Sequence, residues 1–365
     1  MAADPATKVL VVGGGVAALE TVLALQSLAP TRFDIALLAP ERHFTYRPHS
    51  PGTSFQRTPP SRIELAAMAR ERGFRLVRDA LEAVDAAAHR VFTQDGASLS
   101  YDVLVLAIGT RPVTAVDGAM PFRGTQDVAG VADALERLGA GRMAYVARSS
   151  AMWTLPLYEL ALDTAAWAKD CEIAVEVILA TAEHAPLEVF GAEASGRVAG
   201  LLKRAGVRLM TGSVVDRVQH GDLHTDHGER IPVDLAVALP YVIGPSVPGL
   251  PQDRHGFTPV EDAGEVRGLE DVYAVGGMTD RQLTQGGAGA HQADVAASAI
   301  AAAAAVPILV APYRPVLHGV LPNGESPLYL RRPPEHDWSL PADAGIGALH
   351  LSPYVTLRRT LEVRR

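Results

Sequence analysis

The stretch Lys8-Val-Leu-Val-Val-Gly-Gly-Gly-Val-Ala-Ala-Leu-Glu20 decides the fold of this chain. It predicts a short buried strand, a tight glycine turn, and an Ala- and Leu-rich helix that continues to about Leu28. Gly13 permits a sharp turn, Gly15 lets a pyrophosphate approach because it lacks a Cβ, and Ala18 lets the helix pack closely on the strand. Free N–H groups and the helix dipole would favour the phosphates. The pattern predicts a dinucleotide-binding turn; a glycine turn that binds nothing is the alternative.

A second apolar strand is predicted from Asp34 to Leu38. In dinucleotide-binding folds, an acid beyond this strand, roughly 20 residues after the glycines, binds a ribose hydroxyl. Glu41 follows Ala39 and Pro40 and is our predicted ribose ligand. A solvated loop glutamate is the alternative.

The composition of the 365-residue chain indicates two domains, or one large α/β unit with a second domain inserted. The apolar fraction of 48% is ordinary for a globular protein, and the net charge of −8 argues against nucleic-acid binding. Cys171 is the single cysteine, which excludes an internal disulfide, a redox-active cysteine pair and a cysteine metal cluster. No signal peptide is evident, and the alanine-rich run over 296–310 is too short to span a bilayer, so we expect a cytoplasmic protein.

The order of the predicted elements indicates an α/β fold with two Rossmann-like domains, the second inserted in the first. Strands and helices alternate between 113 and 245, which implies a parallel sheet. The later part returns to the first pattern, with a strand near Val272 and an alanine-rich helix that starts at Gln285. A proline-capped helix is predicted around 62–72. The predicted boundaries are 1–112 and 246–308 for the first domain, 113–245 for the inserted domain, and 309–365 for a short C-terminal segment.

Three separated stretches match one family of flavoproteins. They are Val11-Val-Gly-Gly-Gly-Val-Ala-Ala18, Tyr101-Asp-Val-Leu-Val-Leu-Ala-Ile-Gly-Thr110, and Asp271-Val-Tyr-Ala-Val-Gly276 with Gln285-Gly-Gly-Ala-Gly-Ala-His-Gln-Ala-Asp294. With these motifs the sequence resembles the flavoproteins that have two dinucleotide-binding domains, on the branch near type II NADH dehydrogenases and sulfide:quinone oxidoreductases.

The resemblance implies a bound FAD, an inserted domain that binds NAD(P)H in many relatives, and a C-terminal segment near the flavin. By motif position, it implies that the pyrophosphate meets Gly13, Gly15 and Ala18, and that the adenosine ribose meets Glu41. It also implies that the ribityl and phosphate region lies near Gly276 and Gly277, and that the pyrimidine end of the flavin lies near Gly287 and Ala288. Gly109 would lie alongside the cofactor after its strand.

The sequence also departs from this family at several positions. Gly277 stands where the family usually has an aspartate that binds the ribityl chain, and Asp280 is the nearest acid. Thr284 occupies the place of a common lysine. The inserted unit lacks a glycine motif, which argues against an ordinary NAD(P)H site; Arg148, with Ser149 and Ser150, could hold a small anion there. The missing cysteine pair rules out disulfide reductase chemistry and the usual sulfide oxidation.

The candidate catalytic residues are Tyr46, Arg47 and His49, which lie in a loop that runs towards the flavin in relatives. His291, predicted on the first turn of a helix beneath the flavin, could donate a hydrogen bond or shuttle a proton; packing is its alternative role. The histidines over 220–227 fit a polar hairpin better than a metal site, and no metal is expected.

We therefore expect an FAD-dependent oxidoreductase that transfers hydride or electrons to or from a small organic substrate, a quinone or oxygen. The alternative is a binding protein or non-redox enzyme that has kept the flavoprotein fold. No nucleic-acid partner is expected. The basic terminus over 357–365 could touch a membrane surface, but a solvated tail or a homodimer contact is favoured.

Overall fold

The computed structural model describes residues 6–45, 62–124, 127–149, 153–281, 285–323 and 326–332. The helices in these ranges are α1 (Val16–Leu28), α2 (Leu65–Arg72), α3 (Val128–Leu138), α4 (Leu155–Asp170), α5 (Ala192–Arg204) and α6 (Gly286–Ala303). The strands are β1 (Thr7–Val12), β2 (Phe33–Leu38), β3 (His43–Thr45), β4 (Arg62–Glu64), β5 (Arg75–Val77), β6 (Leu81–Asp85), β7 (Arg90–Thr93), β8 (Ser98–Ser100), β9 (Val103–Leu106), β10 (Arg111–Val113), β11 (Met120–Pro121), β12 (Gly141–Ala147), β13 (Val175–Thr181), β14 (Arg208–Met210), β15 (Val215–Gln219), β16 (Asp222–Thr225), β17 (Arg230–Pro232), β18 (Leu235–Ala238), β19 (Tyr241–Ile243), β20 (Val272–Ala274), β21 (Leu317–Leu321) and β22 (Leu328–Arg332).

The first domain is built on a five-stranded parallel sheet in the order β20-β9-β1-β2-β5. Strand β1 lies at its centre, and both of its faces are buried. Val9 and Val11 pack in one apolar cluster with α1 and α6, whereas Leu10 and Val12 pack in a second cluster on the opposite face. This two-sided burial explains why the first strand is apolar at consecutive positions. Because β20 joins the sheet formed by the N-terminal strands, the predicted insertion of one domain into another is confirmed.

The inserted domain repeats this construction with a second five-stranded parallel sheet, in the order β11-β18-β12-β13-β14. Its helix α4 connects β12 to β13, as α1 connects β1 to β2. The sheet is buried on both sides: Tyr145 packs in a cluster with α4, and Val146 packs in a cluster on the other face.

A two-stranded antiparallel ribbon joins the two domains. It is formed by β10, where the chain leaves the first domain, and β19, where it returns, with Arg111 opposite Ile243 and Val113 opposite Tyr241. The predicted boundary at 112 lies inside this ribbon, and the one at 245 lies two residues past it. The boundaries themselves stay predictions.

The described part of the C-terminal segment is a hairpin of β21 and β22. Its leucines, among them Leu317 and Leu330, pack in the same cluster as α4. Gln285, at the start of α6, donates a hydrogen bond from Nε2 to the His318 carbonyl oxygen at 3.4 Å. The hairpin thus contacts both the inserted domain and the start of α6.

One predicted element is partly wrong. The predicted helix over 62–72 begins only at Leu65, because residues 62–64 form β4 and pair with β3. Ile63 is buried between two less buried neighbours, which is the alternation of a strand. Among the helices of the described ranges, none combines the length and apolar character that a bilayer crossing requires.

Candidate functional site at the edge of the first sheet

The glycine turn between β1 and α1 rests on the ends of the neighbouring strands. The Gly13 N–H donates to the Leu38 carbonyl oxygen at 2.8 Å. Gly13 has φ +126°, and a Cβ added there would lie 2.3 Å from the Ala107 carbonyl oxygen. Gly15 caps α1, and an added Cβ would meet no atom within 4 Å. The turn therefore needs glycine at position 13 and leaves open space at position 15, as a pyrophosphate site requires.

The predicted ribose ligand Glu41 reaches this turn. It is exposed and lies three residues beyond the end of β2. One of its carboxylate oxygens, Oε2, is 2.6 Å from where a Cβ of Gly14 would stand. Gly14 therefore allows Glu41 to approach the turn, and this contact between the two residues was not predicted from the sequence. The run of three consecutive glycines could have indicated that the middle one is also required.

The third motif meets the first at a contact between small residues. A Cβ added to Gly276 would lie 3.0 Å from the Ala17 Cβ, and one added to Gly289 would lie 3.3 Å from the Gly276 Cα. Gln292 on α6 accepts a hydrogen bond from the Gly276 N–H. Ala18 is fully buried in the adjacent core. Residues 17, 289 and 292 were not among the predicted site residues, but they hold the two motifs together.

The start of α6 is capped by its own side chain. The Gln285 Oε1 accepts from the Ala288 N–H at 2.8 Å, and the first intrahelical bond runs from the Gly289 N–H to the Gln285 carbonyl oxygen. Ala288 is fully buried. The cap therefore occupies the amide of Ala288, whereas Gly287 precedes the first intrahelical bond, where helix amides can bind an electron-rich group.

The position of the missing family aspartate is filled by a neighbouring side chain. A Cβ added to Gly277 would lie 3.0 Å from the Thr110 Cγ2, next to Gly109, which has φ +76°. Asp280 accepts the Val260 N–H at 3.3 Å and lies 3.7 Å from an Arg267 nitrogen. Asp280 is therefore engaged elsewhere and does not replace the aspartate.

His291 lies in the second turn of α6 rather than the first, because the helix begins at Gly286. Its Nε2 accepts the Arg314 N–H at 3.1 Å, which assigns the ring proton to Nδ1 in the neutral form. The ring stacks on Tyr313 with centroids 5.4 Å apart. Burial lowers the pKa of His291 below its usual value, so the neutral form dominates at neutral pH. The catalytic role of His291 stays a prediction. The other candidate residues lie outside the described residues: Tyr46, Arg47 and His49, as does Thr284.

A buried carboxyl group lies behind the glycine turn. Glu20 of α1 is fully buried, and within the described part of the chain neither of its carboxyl oxygens has a hydrogen-bond partner. Burial, with a smaller contribution from the charge of Asp294 on α6, raises the pKa of Glu20 to about 9. Glu20 is therefore neutral at pH 7. Its place within an apolar helix gave no sign of this in the sequence.

In the inserted domain, Arg148 does not serve as the free anion ligand that the sequence suggested. Its Nη1 donates to the Ala115 carbonyl oxygen at 2.9 Å, and its Nη2 lies 3.0 Å from an Asp216 carboxylate oxygen. The guanidinium also lies over the Tyr241 ring, 5.9 Å from its centroid. Arg148 thus connects the end of β12 to the segment that follows β10, to β15 and to β19. Ser150 lies outside the described residues.

The histidines over 220–227 belong to a three-stranded antiparallel sheet and its turns. The His224 ring hydrogen-bonds the Gln219 carbonyl oxygen at 3.4 Å, and His227 lies 3.7 Å from Asp226. Among the residues that the structure describes, no group of three or more histidine, cysteine or acidic side chains is arranged to hold a metal ion.

Comparisons with known proteins identify the family of this chain. The profile of the family described as pyridine nucleotide-disulphide oxidoreductase matches residues 7–151 and 158–303. The sulfide-quinone reductase of Aquifex aeolicus (strain VF5) is 29% identical over 115 residues, which is 31% of this chain and 26% of that protein. This match spans about a quarter of the relative's length.

Two solved structures show the same fold. The sulfide:quinone oxidoreductase from Aquifex aeolicus has a TM-score of 0.75 at 18% identity, covering 90% of this chain and 87% of that chain. The ferredoxin reductase of the CYP199A2 system from Rhodopseudomonas palustris has a TM-score of 0.69 at 17% identity, covering 88% and 81%.

Proposed function

The chain belongs to the pyridine nucleotide-disulphide oxidoreductase family and is an FAD-dependent oxidoreductase, and from this premise we propose what it transfers electrons between. We infer that the acceptor or donor is a quinone, oxygen or a small organic substrate, and that no redox-active disulfide takes part. The likeness to sulfide:quinone oxidoreductase supports the quinone. The single cysteine, Cys171, is exposed just after α4 and has no second thiol to pair with in this chain.

The observation that carries the proposal is the convergence of the first and third motifs. Gly276 leaves no room for a Cβ beside Ala17, and Gly289 leaves none beside Gly276, so two helix N-termini and a glycine-rich strand end meet at one edge of the sheet. Helix N-termini favour phosphates and other electron-rich groups. We assign the pyrophosphate to Gly13, Gly15 and the packing residue Ala18.

The remaining cofactor contacts follow the same edge. Glu41 would accept the ribose hydroxyls, Gly276 and Gly109 would border the middle of the cofactor, and Gly287 would offer its amide to the flavin pyrimidine. When bound, the flavin supplies hydride and single-electron transfer, while the protein binds and orients it. The candidate substrate-side residues Tyr46, Arg47, His49 and His291 stay part of the proposal.

An absorption spectrum of the purified protein, before and after incubation with FAD, tests the cofactor. Flavin bands that bleach with dithionite and return with a soluble quinone analogue under anaerobic conditions are the expected result. A colourless protein after incubation with FAD would count against the FAD assignment. Bands that return only with oxygen would replace the quinone by oxygen as the acceptor.

A second candidate is a flavoprotein fold whose redox chemistry has been lost, and the Thr110 contact favours it. The Thr110 methyl lies where an aspartate at position 277 would project, and Asp280 is held by Arg267 and Val260. Losing such a carboxylate contact weakens cofactor binding by about 1 to 2 kcal/mol. The variant Gly277→Asp, made together with Thr110→Ser to provide space, should bind FAD about tenfold more tightly.

The matched control is Gly277→Asn with the same Thr110→Ser change, which has a similar shape but no charge. Titration of the apoprotein with FAD, followed by fluorescence, measures both affinities. If neither variant binds FAD more tightly than Thr110→Ser alone, the ribityl chain does not pass position 277, because both the carboxylate and the amide oxygen accept hydrogen bonds.

A further inference from the structure

We propose that Glu183 closes the nucleotide-binding edge of the inserted domain, so that NADH and NADPH do not bind there. The proposal deepens the proposed FAD-dependent function and rests on it. It assigns a specificity-determining role to a residue that stands at the ribose-binding position of the second Rossmann-like unit.

The topology defines the position of Glu183. The inserted domain runs from β12 through α4 to β13, as the first domain runs from β1 through α1 to β2. Glu183 lies two residues beyond β13, and Glu41 lies three residues beyond β2. In dinucleotide-binding units, an acid at this place accepts the ribose hydroxyls. Glu183 is therefore the residue that a nicotinamide dinucleotide would need.

The carboxylate of Glu183 is already surrounded by protein hydroxyls. Tyr158 donates to it at 2.7 Å, Thr181 at 2.9 Å and Thr154 at 3.0 Å. Glu183 is 2% exposed, and all three donors are buried as well. A ribose could take their place only if these hydroxyls lost their acceptor. Each buried donor left unsatisfied costs about 1 to 3 kcal/mol.

The start of α4 and the sequence before it reinforce this closure. The chain has no glycine between Gly141 and Gly191, so the turn lacks the residue type that lets a pyrophosphate approach the backbone. Thr154, at the N-terminal cap of α4, donates from its hydroxyl to Glu183. Trp153 packs its ring edge against Phe190, with centroids 5.7 Å apart. The start of α4 and the acid are thus joined by a hydrogen bond.

Anaerobic titration of the oxidised, FAD-loaded protein with NADH and NADPH tests the proposal. The expected result is unchanged flavin absorbance up to about 1 mM, the upper end of usual KM values, in a sample that dithionite then bleaches. Bleaching of the flavin absorbance by NADH or NADPH at or below about 1 mM would overturn the proposal.

Hydrogen exchange separates this inference from the proposed function. Amides over 153–158 and 181–187 should exchange at the same rates with and without NADH, whether or not the sample carries flavin. Protection of either segment by NADH would overturn the proposal even in a colourless sample, whereas a colourless sample without such protection would count only against FAD binding.

Discussion

Glu41 and Glu183 occupy the same place in two domains of the same topology, but their environments are opposite. Glu41 is exposed, and its carboxylate lies against the bare backbone of Gly14. Glu183 is buried and accepts hydrogen bonds from three hydroxyl groups. The comparison shows that the same topology can place an acid in an open or a closed environment, and that its neighbours decide whether a ligand can reach it.

The largest expected effect comes from the turn of the first domain. Gly13→Ala should lower the free energy of unfolding by more than about 3 kcal/mol, since the added Cβ would overlap the Ala107 carbonyl at a backbone angle that alanine disfavours. Urea unfolding measures the loss. Gly15→Ala is the matched control: its Cβ meets nothing within 4 Å, so it should fold normally. Equal unfolding midpoints for the two variants would show that the turn does not have this geometry.

The next effect concerns the closed edge of the inserted domain. Glu183→Ala should destabilise the protein by about 3 kcal/mol, because Tyr158, Thr154 and Thr181 would lose their shared acceptor. Glu183→Gln keeps the shape and one acceptor oxygen, so its loss should be smaller. Thermal unfolding of the FAD-loaded proteins measures both. A stable alanine variant would remove the contrast with Glu41.

A third prediction compares two buried acids, because Glu20 lacks the partners that Glu183 has. The pKa of Glu20 is about 9 in the folded protein, against a reference value of 4.5. Its contribution to stability is therefore fully present below pH 4.5 and is lost as the pH rises towards 9, by about 1.4 kcal/mol per pH unit.

Glu20→Gln removes the titrating group, so its unfolding free energy should fall less between pH 5 and pH 9 than that of the parent. Thr21→Val, which removes a buried polar group without a titrating proton beside Glu20 on α1, serves as a control whose pH profile should follow that of the parent. Parallel profiles for the parent and Glu20→Gln would show that the Glu20 carboxyl is solvated.

The smallest expected effect is at the open edge itself. Glu41→Ala should weaken FAD binding by about 1 to 2 kcal/mol, roughly tenfold, with little change in stability, because the side chain is exposed. Fluorescence titration of the apoprotein measures the affinity. Glu64→Ala, which removes another acid at the end of β4, should leave the FAD affinity unchanged. Unaltered FAD affinity in Glu41→Ala would return Glu41 to the solvated loop residue that the sequence also allowed.

The sequence predicts the elements whose signals are local. The helix predicted to continue to about Leu28 ends at that residue as α1, and the strand–turn–helix at Gly13 is confirmed, because apolar runs and glycines act within a few residues. Residues 62–64 were misassigned because their strand pairing with 43–45 is set by a partner 17 to 21 residues away.

The site was less predictable than the fold for the same reason. Glu183 acquires its role from hydroxyls 25 and 29 residues earlier, and Glu20 from its burial close to Asp294 of α6. Neither relation leaves a pattern in the adjacent sequence. The absence of glycines around residue 148 did indicate that the inserted domain lacks an ordinary dinucleotide site. The hydrogen bonds from three hydroxyls to Glu183 could not be predicted, because they depend on the tertiary structure.

The ribbon of β10 and β19 means that the chain re-enters the first domain beside the point where it left. An insert whose ends meet in register imposes little on its host, since exchanging it does not move the strands on either side. In evolutionary terms, the ribbon makes the inserted domain a unit that can be exchanged without rebuilding the first domain. The first domain can keep its glycine turn while the inserted domain changes its own ligand-binding residues, which is the difference between the surroundings of Glu41 and those of Glu183.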